Sequence, residues 1–243
     1  MTASFNVERD GDVVCFTIDR PEAKNALNLD TIVGLTEALR STPMRVAILT
    51  GAGDTFVSGG DLRELRGRDS RADAEYLTDV GHALTSAIAE APFPIIAALN
   101  GPAIGGGAEL AVACDLRIAL PEPRIEFKQV HMGVTTSWGT AARLRELVGN
   151  GFATRLLFGT RVSNPQELFE RGLLDVKAND PKAVALEIAH EIEKAPASAI
   201  AATKRLLRAT GDVRALERDL FVETWSSAEH RAAVEAWFAR RGG

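Results

Sequence analysis

Two hydrophobic patterns alternate along this chain: short runs of consecutive apolar residues, and longer stretches with apolar residues three and four apart. The segment "DVVCFTIDRP" (12–21) alternates apolar residues and stops at a proline, which predicts a strand. "LDTIVGLTEALR" (29–40) has helical spacing, with Asp30 as the expected N-cap. "RVAILTG" (45–51) and "PIIAALNG" (94–101) are short apolar runs ending in glycine and predict buried strands. Between them, "DAEYLTDVGHALTSAIAEA" (73–91) predicts a long amphipathic helix closed by Pro92. A helix over "GGAELAVAC" (106–114) and a strand over "DLRIAL" (115–120) follow.

The repeating order of strand, loop, helix and strand predicts an α/β protein. After residue 140 the pattern changes. "AARLRELVGN" (141–150), "GFATRLLFG" (151–159), "NPQELFERGLL" (164–174), "PKAVALEIAHEIEKA" (181–195) and "PASAIAATKRLLRAT" (196–210) are nearly all helical. One short strand is expected around "LLDVKA" (173–178). The expected organisation is an α/β core over residues 1–190 followed by a helical region over 191–243.

Composition narrows the function classes. The 243 residues are 46% hydrophobic and 25% charged, the balance of an ordinary globular protein rather than a disordered one. A net charge of -5 argues against a nucleic-acid partner. The apolar runs "FPIIAAL" and "LAVAC" fall far short of the roughly 20 residues that span a bilayer, so no membrane partner is expected. The start of the chain enters a strand-like pattern at once, without a charged leader and apolar stretch. Cys15 and Cys114 lie in apolar runs without metal-ligand spacing, which predicts reduced core residues of a cytoplasmic protein and no metal site.

Two glycine-rich loops carry the candidate chemistry, because both follow buried strands, where ligands of α/β proteins gather. They are "GAGDTFVSGGDL" (51–62) and "NGPAIGGGAEL" (100–110). Neither contains the lysine of a phosphate-binding P-loop, and each alone reads as a tight turn. As a pair they offer more. Glycine lets a backbone N–H approach a ligand with no side chain in the way, and two converging N–H groups can hold a developing oxyanion. Gly106 and Glu109 are three apart at a helix start, so an amide donor and a carboxylate share one face. That arrangement suits a carbonyl substrate whose neighbouring carbon gains or loses a proton.

These loops and "RPEAKNALN" (20–28) together resemble the crotonase superfamily, also called the enoyl-CoA hydratase/isomerase family, over essentially the whole chain. The resemblance implies a crotonase-type spiral of ββα units with a helical C-terminal region used in trimer assembly, hence a homotrimer or hexamer. It implies an acyl-CoA thioester as substrate, with coenzyme A part of that substrate and no separate cofactor. Gly60 and Gly106 would supply the two backbone amides that stabilise a thioester enolate, with Glu109 as a catalytic carboxylate. Many relatives have alanine at Gly60, a change that leaves a backbone donor intact. Lys24, Asn25 and Ala26 would hold the CoA nucleotide, largely through backbone contacts, with Asp61 and Leu62 on the adjoining substrate loop. Near the C-terminus "AWFARR" resembles the family's "AFxEKR", placing Trp237, Arg240 and Arg241 near a CoA phosphate.

The pattern departs at the second carboxylate that hydratases of the family use. In "EFKQVHMGVTTSWGTAARL" (126–144) its place falls to His131 when anchored on Phe127, and to Gln129 when anchored on Gly133. Glu126 lies too early unless the loop is rebuilt. His131 is then the candidate acid–base group, since imidazole titrates near neutral pH. The run "MGVTTSWG" (132–139) resembles the ethylmalonyl-CoA and methylmalonyl-CoA decarboxylase branch, in which Trp138 would line the acyl pocket. Loss of CO₂ from a short alkylmalonyl-CoA is therefore the expected reaction, with enoyl-CoA hydration or isomerisation as alternatives. A non-catalytic acyl-CoA-binding protein is the alternative of another class. A serine hydrolase is disfavoured, because Ser58 has no G-x-S-x-G context and no histidine nearby in sequence.

Overall fold

The computed structural model describes residues 4–160, 162 and 164–241. The strands are β1 (Phe5–Asp10), β2 (Val13–Ile18), β3 (Val46–Gly51), β4 (Ile95–Leu99), β5 (Ala103–Ile104), β6 (Leu116–Ala119), β7 (Ile125–Glu126) and β8 (Val176–Lys177). The helices of the first half are α1 (Leu29–Ser41), α2 (Leu62–Leu65), α3 (Arg71–Glu90) and α4 (Gly106–Ala113). Those of the second are α5 (Thr140–Leu157), α6 (Gln166–Glu170), α7 (Pro181–Ile192), α8 (Ala197–Arg208), α9 (Arg214–Trp225) and α10 (Ala228–Arg241).

Six strands form one sheet in the order β1-β2-β3-β4-β6-β8, while β5 and β7 pair separately. All neighbours in the large sheet are parallel except the β1–β2 hairpin. Strands buried on both faces need apolar residues at every position, which is why β3 and β4 read as unbroken runs. Val14, Phe16, Leu49 and Ala97 face α1 and α3, packing against Leu35, Leu84 and Ile88. Val13, Cys15, Ile48 and Ile96 face the other way, against Ala185 and Ala189 of α7. Cys15 and Cys114 are buried free thiols, and burial pushes the Cys114 thiol up to about 12.

Two local expectations differ from the structure, and a third holds. The N-cap of α1 is Asn28, whose side chain accepts from the Thr31 amide, and Asp30 lies inside the first turn. The two helical stretches expected over 141–150 and 151–159 are present within α5, separated at Gly149, whose φ of 75° and ψ of 161° are not helical. Only Gln166–Glu170 of the 164–174 segment is helical.

The helix α8 is tied into the core by charge. Lys204 Nζ donates to the carbonyls of Ile88 and Phe93 at 2.8 and 2.9 Å and pairs with Asp115 at 2.8 Å. Arg208 reaches the other Asp115 oxygen at 2.7 Å. Beyond α8, the helices α9 and α10 leave Phe221, Trp225, Trp237 and Phe238 exposed.

Candidate active site

The loops after β3 and β4 come together because polar side chains stitch them. Asn100 Nδ2 donates to the Gly51 and Gly53 carbonyls at 2.8 and 2.9 Å. Val57 and Ala103 form a parallel bridge, with the Ile104 amide donating to the Val57 carbonyl at 2.9 Å. A third segment, Ala23–Leu27, lies along the first loop. Leu27 N donates to Gly59 O at 2.7 Å, and Asp61 N donates to Leu27 O at 2.9 Å.

The three consecutive glycines have separate reasons. Gly105 adopts φ 53°, ψ -117°, a region closed to side chains. A Cβ on Gly107 would sit 2.2 Å from the Val57 carbonyl oxygen, so only glycine lets α4 approach that loop. Gly106 opens α4, where the first amides have no partner inside the helix. A Cβ on Gly106 would lie 3.7 Å from the Gly60 nitrogen, so the two amides border one space. Among the described residues neither amide donates to a backbone carbonyl. Two free donors at the positive end of a helix are suited to an oxygen that gains negative charge.

Glu109, one turn into α4, is 4% exposed and accepts three hydrogen bonds. Gln129 Nε2 donates to Oε1 at 2.6 Å. Thr140 Oγ1 and the Trp138 amide donate to Oε2 at 2.6 and 3.2 Å. The Trp138 indole closes the space next to the two amides: its Cη2 atom is 3.2 Å from where a Gly106 Cβ would stand. Its other edge fits against Gly81 of α3, where a Cβ would fall 1.7 Å from the indole Nε1.

His131, the candidate acid–base group from the sequence, is not brought to Glu109. Its Nε2 lies 3.2 Å from the Gly159 carbonyl, on the exposed side of a 3₁₀ turn over Gln129–Met132. Residues two apart on such a turn point about 240° apart, so Gln129 facing Glu109 turns His131 away. Glu126 is also elsewhere. Arg124 at 2.6 Å and Lys128 pair with it, and the Arg124 hydrogen bond above all holds its carboxyl below the usual carboxylate range. These three residues line a cavity of about 550 Å³ beside the end of α5, whose lining excludes Glu109, Gly60 and Gly106.

The expected CoA strap is partly structural. Asn25 is fully buried; its Nδ2 donates to the Ala52 and Thr55 carbonyls at 2.8 and 2.6 Å, and its Oδ1 accepts from Arg20 N. Its side chain is therefore committed inside the fold. Lys24 is exposed with φ 52°, and the Ala26 carbonyl accepts from Arg20. Asp61 forms an ion pair with Arg20 at 2.7 Å and caps α2 through the Arg63 amide. The Arg20 hydrogen bond holds the Asp61 carboxyl below the usual carboxylate range. Leu62 is 64% exposed. On α10, Trp237 packs edge-on to Phe238 and Arg240 Nε donates to Ala236 O, while the Arg241 side chain lies outside the described residues. Sequence reasoning missed Gly81 and Thr140, because nothing near either position hints at a partner more than 25 residues away.

Known proteins resemble this chain over nearly its full length. The family model for enoyl-CoA hydratase/isomerase matches residues 8–242. The chain belongs to the enoyl-CoA hydratase/isomerase family. It is 31% identical to the short-chain-enoyl-CoA hydratase of Clostridium acetobutylicum, over 97% of this chain and 94% of that protein. It is 32% identical to the ethylmalonyl-CoA decarboxylase of Gallus gallus, over 77% of this chain and 66% of that protein. The crystal structure of an enoyl-CoA hydratase from Bacillus anthracis superposes with a TM-score of 0.90 at 27% identity, covering 98% and 96% of the two chains. Such likeness over nearly the full length makes the architecture a crotonase fold.

Proposed function

We propose that this family member holds the enolate of an acyl-CoA thioester between the Gly60 and Gly106 amides, and that it decarboxylates a short alkylmalonyl-CoA. The observation that carries the reading is the Gln129 amide on Glu109, at a place where concerted water addition would require a second carboxylate. An amide cannot deliver a proton, and general acid–base help is worth about 10²–10⁴ in rate. Decarboxylation needs no such help to reach the enolate. The bond between Cα and the substrate carboxylate breaks, its electron pair enters the thioester as an enolate, and neutral CO₂ leaves. The negative charge moves from the carboxylate to the oxygen facing the two amides, and Cα then takes a proton from water. Glu109, with both oxygens accepting, faces a substrate carboxylate with like charge and favours its loss.

A panel of methylmalonyl-, ethylmalonyl- and crotonyl-CoA followed by mass tests this. Decarboxylation at a higher kcat/KM than hydration supports the reading. Conversion of crotonyl-CoA to its 3-hydroxyacyl product, with the malonyl substrates untouched, refutes it in favour of hydration.

The exposed face of Phe221, Val222, Trp225 and Phe238 supports an assembly of three or six copies, because large aromatics suit interface anchors. In this reading Trp237 and Arg240 of α10 border the CoA site within the assembly. A stable 26.0 kDa monomer in light scattering at micromolar concentration would remove it.

A further inference from the structure

We propose that the Arg20–Asp61 ion pair positions the Gly60 amide, making these two residues positioning residues for the reaction; the inference rests on the reading of Gly60 as an oxyanion donor. Asp61 follows Gly60 directly in the chain, and both of its oxygens are engaged. Oδ2 accepts from Arg20 Nη2 at 2.7 Å and Oδ1 from the Arg63 amide at 3.1 Å. The Gly60 peptide is thus held from both ends. On one side the Gly59 carbonyl accepts from Leu27, and on the other the Asp61 amide donates to Leu27 and its side chain is locked by Arg20.

Arg20 spans the two segments that matter. Its Nη1 donates to the Ala26 carbonyl and its backbone amide to Asn25 Oδ1, while its Nη2 reaches Asp61. The side chains of the pair are only 17% and 13% exposed, so solvent screens it less than a surface bridge. The segment it clamps contains consecutive non-glycine residues in the left-handed region, Lys24 at φ 52° and Asn25 at φ 55°. Lysine adopts that conformation only where its surroundings over-determine it, and such residues cluster at ligand clamps. One guanidinium therefore fixes both the strap and the loop that presents the amide. Neither Arg20 nor Asp61 needs to touch the substrate.

The test separates positioning from strap binding. Arg20→Gln and Asp61→Asn are assayed with ethylmalonyl-CoA and with the pantetheine thioester of the same acid, which lacks the nucleotide. Asparagine keeps the helix cap at position 61. Removing an oxyanion donor costs about 10²–10³, and displacing one is expected to cost about tenfold in kcat on both thioesters. A rise in KM confined to the CoA thioester, with kcat unchanged on both, would overturn the proposal. The second readout does not depend on turnover. Bound 4-(dimethylamino)cinnamoyl-CoA absorbs at longer wavelength as its carbonyl is polarised, and this shift should be large in the wild type and reduced in both variants. A full shift in the variants counts against positioning by this pair. No shift in the wild type would refute the oxyanion reading itself, and the proposal with it. Arg20→Lys keeps the charge but not the fork, so an intermediate shift is expected, and this variant carries the test where Arg20→Gln fails to fold.

Discussion

Gln129 donates its side-chain amide to Glu109 across 2.6 Å, so the carboxylate of α4 faces a neutral partner that cannot give up a proton. The same distance would place two carboxyl groups in contact in a Gln129→Glu variant. Two adjacent carboxyls cannot both ionise freely, so one would titrate well above its ordinary range and be protonated near neutral pH. Gln129→Glu is therefore expected to raise hydration of crotonyl-CoA by about 10–100-fold, toward the value of one added acid–base group. That gained activity should fall as pH rises through the elevated pKa. A pH–rate profile of hydration in the variant against the wild type checks both statements.

The Gly106 amide offers the sharpest loss of function. Proline is well tolerated at the first position of a helix, where its missing N–H has no helical partner. Gly106 is that first position of α4, so Gly106→Pro should keep the helix while deleting the donor, with a small displacement of the Trp138 ring that lies 3.2 Å from the added Cβ. A fall in kcat of about 10²–10³ with retained secondary structure is expected. Circular dichroism and steady-state kinetics on the same preparation decide it.

The sheet was legible in the sequence because parallel strands buried on both faces leave unbroken apolar runs, as over β3 and β4. The loops were legible because two glycine clusters both follow buried strands, where ligands of α/β proteins gather. What escaped was set by contacts across the fold. The Asn25 side chain, which a backbone reading of the CoA strap left unassigned, spends itself on carbonyls 27 and 30 residues away. Asp61, read as a substrate residue, answers to Arg20 41 positions earlier. The choice between His131 and Gln129 turned on a 3₁₀ turn, in which a shift of two residues swings a side chain by about 240° and onto another face. Local periodicity carries no trace of that turn.

A histidine far from the site should make stability depend on pH. His190 of α7 lies 2.8 Å from Glu193 and 3.1 Å from Asp10 at the β1–β2 turn, and these carboxylates, Glu193 first, raise its pKa above the usual value. The Glu8–Lys182 pair joins the same two elements. A raised folded pKa means that the stabilisation is fully present below about pH 6.5 and is lost as pH rises through the folded pKa. The thermal midpoint should therefore drop between pH 6 and pH 8.5 by more in the wild type than in His190→Gln. Equal slopes in the two proteins would show that this cluster contributes nothing.

The last expectation concerns acyl-chain length and rests on the wedge between Gly81 and Gly106. The Trp138 indole occupies the space between Gly81 of α3 and Gly106 of α4, with contacts so close that neither glycine could carry a methyl group without moving it. Its amide and carbonyl are also engaged, by Glu109 and by Thr85 and Arg143, so the backbone cannot shift to accommodate a larger substrate. A ring held this rigidly is expected to set the depth of the acyl pocket. Trp138→Leu keeps the apolar surface, leaves the backbone bonds intact and removes the far edge of the ring. Each methylene admitted to an apolar pocket is worth about 1–3 kcal/mol, so kcat/KM for an eight-carbon relative to a four-carbon thioester should rise at least about tenfold. Gly81→Ala works in the opposite sense, because its new methyl collides with the indole and pushes it toward Gly106. That variant should lose activity on four-carbon and eight-carbon thioesters alike, while its fluorescence reports the displaced tryptophan. An unchanged chain-length ratio in Trp138→Leu would place the limit of the pocket elsewhere.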